Sequence, residues 1–97
     1  MHPVVFTPAA RAELLEAQQW YQAQGVDLAH AFRAEVERAV ERVSSAPQRF
    51  PIVFRSVRRA RLRRFPYSLF FIEARNALLV IACFHSSRDP RRWQTRM

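Results

Sequence analysis

The sequence has no lysine, one glycine and one cysteine. With a single cysteine no internal disulfide can form. With a single glycine, Gly25, no glycine-rich phosphate loop is possible. The longest apolar run, Ala77 to Phe84, is far shorter than the roughly 20 residues a membrane helix needs. The opening stretch MHPVVFTPAAR lacks a signal-peptide layout, so a cytoplasmic protein is expected. His2, His30 and His85 stand far apart without partners at metal-ligand spacing, and neither a metal nor another cofactor is expected. Cys83 lies inside the apolar run and reads as a small buried hydrophobe rather than a nucleophile.

What the chain does contain is arginine. All 16 basic residues are arginines, against 8 acids, giving a formal charge of +8. Residues 1–46 carry 4 arginines and 6 acids, net −2, whereas residues 47–97 carry 12 arginines and 2 acids, net +10. The second half therefore favours a polyanion or an acidic partner. The planar guanidinium fork suits phosphate and carboxylate alike, so composition does not choose between them. At 97 residues the chain forms one domain spanning residues 1–97.

His2 to Phe6 predicts a short strand. A helix follows, with Thr7 as N-cap, Pro8 at the first helical position and Gly25 as a left-handed C-terminal cap. Ala10, Leu14, Ala17 and Tyr21 share its inner face, with Trp20 beside it. A second helix opens at Asp27, carries the stripe Leu28, Phe32, Val36, Ala39, Val40 and Val43, and stops before Pro47. So short a link makes the pair an antiparallel hairpin. Beyond Pro51 the period becomes two. Val57 to Phe65 alternates, with Arg59, Arg61 and Arg63 on one side and Ala60 and Leu62 on the other. Tyr67 to Glu73, a turn at Arg75-Asn76 and Leu78 to His85 complete a meander, with Ile52 to Phe54 as a further edge. The expected fold is α+β: an N-terminal strand and a helical hairpin packed on one face of a three- to four-stranded antiparallel sheet.

Both alternating sets of the last two strands are apolar: Leu69 and Phe71 against Phe70 and Ile72, then Leu78, Val80, Ala82 and Phe84 against Leu79, Ile81 and Cys83. A sheet apolar on both faces needs cover on both. The hairpin covers one, and the dozen residues after His85 are too few to cover the other. An exposed apolar groove edged by arginines is therefore expected opposite the hairpin, filled by an acidic amphipathic partner segment or by a second copy of the chain.

Two stretches look committed to more than folding. RSVRRARLRRF, Arg55 to Phe65, would project Arg59, Arg61 and Arg63 about 7 Å apart, close to the spacing of successive phosphates. It reads equally as a charged edge strand guarded against aggregation. HSSRDPRRW, His85 to Trp93, places a histidine and Arg88 at a strand end before an Asp-Pro turn. In phosphodiester cleavage His85 would transfer a proton and Arg88 would stabilise developing charge. Structurally, Asp89 would pair Arg88 or cap the turn while Trp93 plugs the core.

From FTPAARAELLEAQQWY through RRFPYSLFFIE to VIACFHSSRDPRRW, the chain resembles the ParE toxins of the RelE/ParE toxin–antitoxin superfamily. The most specific pieces are Arg64-Phe65-Pro66-Tyr67 and the pattern His85, Arg88, Pro90, Trp93. The resemblance implies a toxin that is not an enzyme, inhibits DNA gyrase to cause growth arrest and plasmid stabilisation, and is neutralised in a hetero-oligomer by a ParD-like acidic antitoxin. Direct sequence-specific nucleic-acid binding is not implied. Target contacts would fall on Arg59, Arg61, Arg63, His85, Arg88 and Trp93. Antitoxin contacts would fall on Leu69, Phe71, Val80, Arg59 and Arg61. The RelE-like alternative is a ribosome-dependent mRNA endonuclease using His85, Arg61 and Arg88. Such nucleases often combine lysines with a C-terminal tyrosine or histidine. This chain has no lysine and no tyrosine after Tyr67, which favours the gyrase reading.

Overall fold

The computed structural model describes residues 2–97. Strand β1 (Val4–Phe6) leads into helices α1 (Pro8–Gln24) and α2 (Val26–Ser45) and a 3-10 turn at Pro47–Arg49. Strands β2 (Ile52–Phe54), β3 (Val57–Arg61), β4 (Tyr67–Glu73) and β5 (Leu78–His85) follow, then a single helical turn, α3 (Arg91–Gln94). The expected α+β arrangement is present, but the sheet has five strands, ordered β1-β5-β4-β3-β2. β1 is the addition, joining β5 in parallel through Val4 to Leu78 and Phe6 to Val80, while the other pairs are antiparallel.

Thr7 caps α1 as its residue type demands, its hydroxyl accepting from the Ala10 N–H at 3.1 Å. Gly25 ends α1 and starts α2 at once, so the two helices are linked by one residue. Its backbone is extended, at φ 160° and ψ 140°, and not left-handed as expected. On α2, Ala29 takes the inward place expected of Leu28, which is 43 % exposed. Phe32, Val36, Ala39 and Val43 keep the stripe and pack with Ala10, Ala17, Tyr21, Leu69, Phe71, Val80 and Cys83 into one core between hairpin and sheet.

β3 is shorter than expected and ends at Arg61: the Leu62 N–H still donates to the Tyr67 carbonyl of β4 at 2.9 Å, but the two donors after it are claimed elsewhere. The Arg63 and Arg64 N–H groups both donate to Oε1 of Glu35, at 3.0 and 3.3 Å. Glu35 is buried on α2, and its other oxygen accepts from the Arg38 guanidinium. That hydrogen bond, helped by those from Arg63 and Arg64, holds its carboxyl below the usual glutamate range despite burial.

A bulge sits in β5. Phe70 faces Ala82 and Phe71 faces Val80, leaving Ile81 unpaired. Leu78, Val80 and Cys83 therefore face the helices, while Ile81, Ala82 and Phe84 face the other way. The simple alternation read from the sequence, with Val80, Ala82 and Phe84 on one side, fails at this point.

The open apolar groove expected opposite the hairpin is closed. Trp93 of α3 stacks on Phe70 at 4.3 Å, meets Phe54 edge-on at 5.9 Å and is 2 % exposed. Val57, Ile81, Ala82 and Phe84 are buried around it. A dozen residues suffice because one indole covers the centre of a three-strand face.

Candidate functional site

Sheet register gathers the site. Arg59 pairs with Phe70 and Arg61 with Ser68, which pairs in turn with Phe84, so these side chains share the face that carries Trp93. Arg59 and Arg61 are two residues apart on one strand, and their stems leave the sheet about 7 Å apart. The segment after β5 rises over the same face and forms the opposite wall. Between them lies a cleft of about 360 Å³ lined by Arg59, Arg61, Ser68, His85, Arg88 and Trp93, with Phe70 and Phe84 below.

The cleft is electropositive and only partly neutralised. Asp89 does not pair Arg88. It accepts from the Arg91 guanidinium at 2.7 Å and from the Arg91 backbone at 2.9 Å, just ahead of α3, and those bonds depress its carboxyl. Arg88 lies over the Phe84 ring at 5.3 Å and 4.0 Å from Glu16. Arg59 and Arg61 have no carboxylate partner among the described residues. The Nε of Arg59 is buried without any hydrogen-bond partner. Such an orphan donor costs roughly 1–3 kcal/mol unless a ligand accepts from it.

His85 is held at its Nδ1, which accepts from the Ser87 backbone N–H at 3.0 Å. The Ser87 hydroxyl lies 2.8 Å from the same nitrogen, and the ring packs edge-on against Tyr67. A backbone N–H can only donate, so Nδ1 carries no proton in this arrangement and Nε2 does. Both hydrogen-bond partners of the ring come from Ser87.

Five of the six expected target residues, Arg59, Arg61, His85, Arg88 and Trp93, meet at one cleft. Arg63 does not. It lies past the end of β3 in the loop anchored on Glu35 and lines a separate depression with Arg38, Arg42 and Phe50. Trp93 serves as the cleft's floor rather than as an exposed contact. The expected antitoxin residues Leu69, Phe71 and Val80 are corrected outright. All three face the hairpin at 0–1 % exposure and touch no surface, because the β5 bulge and the β4 register direct them into the helix-side core. Cys83 is buried too, and desolvation, with the Glu13 charge adding to it, pushes its thiol up to about 12.

The sequence did not reveal how β5 is finished. β1 covers only Leu78 to Val80, leaving the rest of that edge open. There Glu13 of α1 accepts from the Cys83 N–H at 3.0 Å, and Arg96 donates to the Ile81 carbonyl at 2.8 Å. Glu13 and Arg96 pair with each other at 2.6 Å. Two side chains thus stand in for a missing strand and fasten the C-terminal turn to α1.

A solved structure described as the chromosomal ParDE TA system from P. aeruginosa shares the fold, with a TM-score of 0.63 at 21 % identity, covering 88 % of this chain and 96 % of that one. No curated protein matches the sequence. The family model for the ParE toxin of the type II toxin–antitoxin system parDE matches residues 4–90. The chain belongs to the ParE toxin family.

Proposed function

We propose that this chain acts as a toxin that inhibits DNA gyrase without catalysing a reaction, arresting growth, and that a ParD-like antitoxin with an acidic segment neutralises it. The observation that carries this reading is the make-up of the cleft. Three arginines and a serine bind anions, and His85 is the sole proton-transfer candidate, with no second acid or base opposite it. Such a surface holds a charged partner more readily than it cleaves one. Family membership supports the toxin role, and the net charge of +10 on residues 47–97 supports an acidic antitoxin. With Leu69, Phe71 and Val80 inside the core, antitoxin contact in this reading rests on Arg59 and Arg61. In a supercoiling assay the purified chain is expected to inhibit gyrase and accumulate cleaved DNA, with relief by antitoxin added first. Full gyrase activity in the presence of folded protein would reject the proposal.

The alternative, ribosome-dependent mRNA cleavage, keeps one supporting observation: His85, Arg61 and Arg88 line the same cleft. It requires that His85→Ala abolish cleavage of transcripts while ribosome binding survives. Intact transcripts in arrested cells would remove it.

A further inference from the structure

A second cavity opens on the other side of the ridge formed by His85 and Arg88. It holds about 570 Å³ between α1 and the ends of β4 and β5, and its walls include Trp20, Tyr21, Tyr67, His85, Arg88 and Glu16. Trp20 is 58 % exposed, yet its ring is set edge-on against Tyr21 at 5.1 Å. An indole fixed and wetted in this way is a stacking surface without a partner. His85 and Arg88 belong to both cavities, so an aromatic pocket and an anion cleft adjoin across one ridge.

We propose that the two cavities together bind a short single strand of nucleic acid, with a phosphate in the cleft and the neighbouring base in the aromatic pocket. The buried Nε of Arg59 and the unpaired fork of Arg61 supply donors for phosphate oxygens. Trp20 and Tyr67 supply the stacking faces. An acidic peptide suits the cleft equally but not the pocket, where Glu16 already places an exposed carboxylate. That carboxylate repels acidic side chains and accepts from the exocyclic amino groups of adenine, guanine and cytosine. Thymine has no such group, so the pocket discriminates against it. The inference does not depend on the identity of the toxin's target.

The test uses 5′-phosphorylated trinucleotides of adenine and of thymine, titrated into the full chain while tryptophan emission is followed. Trp20 is exposed in the pocket and Trp93 forms the buried floor of the cleft, so the quenching that Trp20→Leu removes reports the pocket. Saturable quenching is expected, stronger for adenine. In calorimetry Trp20→Leu should weaken adenine binding about tenfold or more. Arg59→Ala should weaken both trinucleotides alike, with thermal unfolding confirming that each variant is folded. Absence of saturable binding would overturn the proposal, as would binding that Trp20→Leu leaves intact, which is charge attraction alone. So would an acidic amphipathic peptide that binds in a Trp20-dependent manner while the trinucleotides do not. A negative gyrase assay bears on none of these outcomes.

Discussion

Glu35 shows how one side chain shapes the region around the site. Its carboxylate closes the start of the β3–β4 loop, taking the Arg63 and Arg64 N–H groups, and it meets Arg38 besides. Because folding lowers its pKa, its contribution to stability is complete above the ordinary glutamate value of about 4.3. That contribution fades as pH falls through the folded-state value. Glu35→Gln keeps an acceptor and loses the charge. It should cost about 1–2 kcal/mol at pH 7, and Tm followed between pH 3 and pH 6 should become flatter than in the parent. Cys83 makes the opposite kind of prediction. With its thiol pushed up to about 12 and fully enclosed, it should resist iodoacetamide at pH 8 until the chain is unfolded by denaturant. The inert Cys83 could be read from its apolar run. Glu35 could not, because in sequence it is one more acid on a charged helix, and its partners lie 28 and 29 residues away.

Among the elements, both helices, the Thr7 cap and strands β1 to β5 were legible, since each is written in local periodicity and in proline or threonine positions. The link between the helices was not. Gly25 is extended, and a Cβ added there would meet no atom within 4 Å. Gly25→Ala is therefore expected to shift Tm by less than about 3 °C, where a left-handed cap would have made it costly. The bulge in β5 was hidden for a different reason. When both faces of a strand are apolar, alternation no longer reports which residue faces which layer. The same ambiguity sent Leu69, Phe71 and Val80 to the wrong surface. The turn α3 is too short to persist by itself and depends on Trp93 and on the Arg96–Glu13 pair. Trp93→Ala should cost about 3–5 kcal/mol and expose Phe70 and Phe84 to a hydrophobic dye such as ANS, without removing the hairpin's helical CD signal.

At the scale of the whole molecule, charge and topology act together. Sequence alone located the basic half and brought five cleft residues into view, because each lies on a strand or just after one. The cleft's other properties depend on contacts between distant elements: the orphaned Arg59 Nε, the hydrogen bonds fixing His85 through Ser87 and the aromatic pocket behind it. The unpaired arginines are also a measurable electrostatic feature. Replacing Arg59 and Arg61 together by Glu should weaken association with an acidic antitoxin at least about 100-fold at low salt, mainly through slower association. The melting temperature should fall by no more than a few degrees, since both side chains rim a cleft and Arg61 is exposed.

The fastening of β5 by Glu13 and Arg96 also bears on how copies of the chain behave when crowded. A sheet propagates into a fibre only if each rim presents backbone groups for the next molecule to copy. Here the outer strands β1 and β2 are three residues each, and the Cys83 N–H and Ile81 C=O beyond β1 already have partners. Approaching copies also repel one another through their net charge of +8. The β5 rim is thus closed beyond β1, and the brevity of both outer strands leaves the next copy little backbone to pair with.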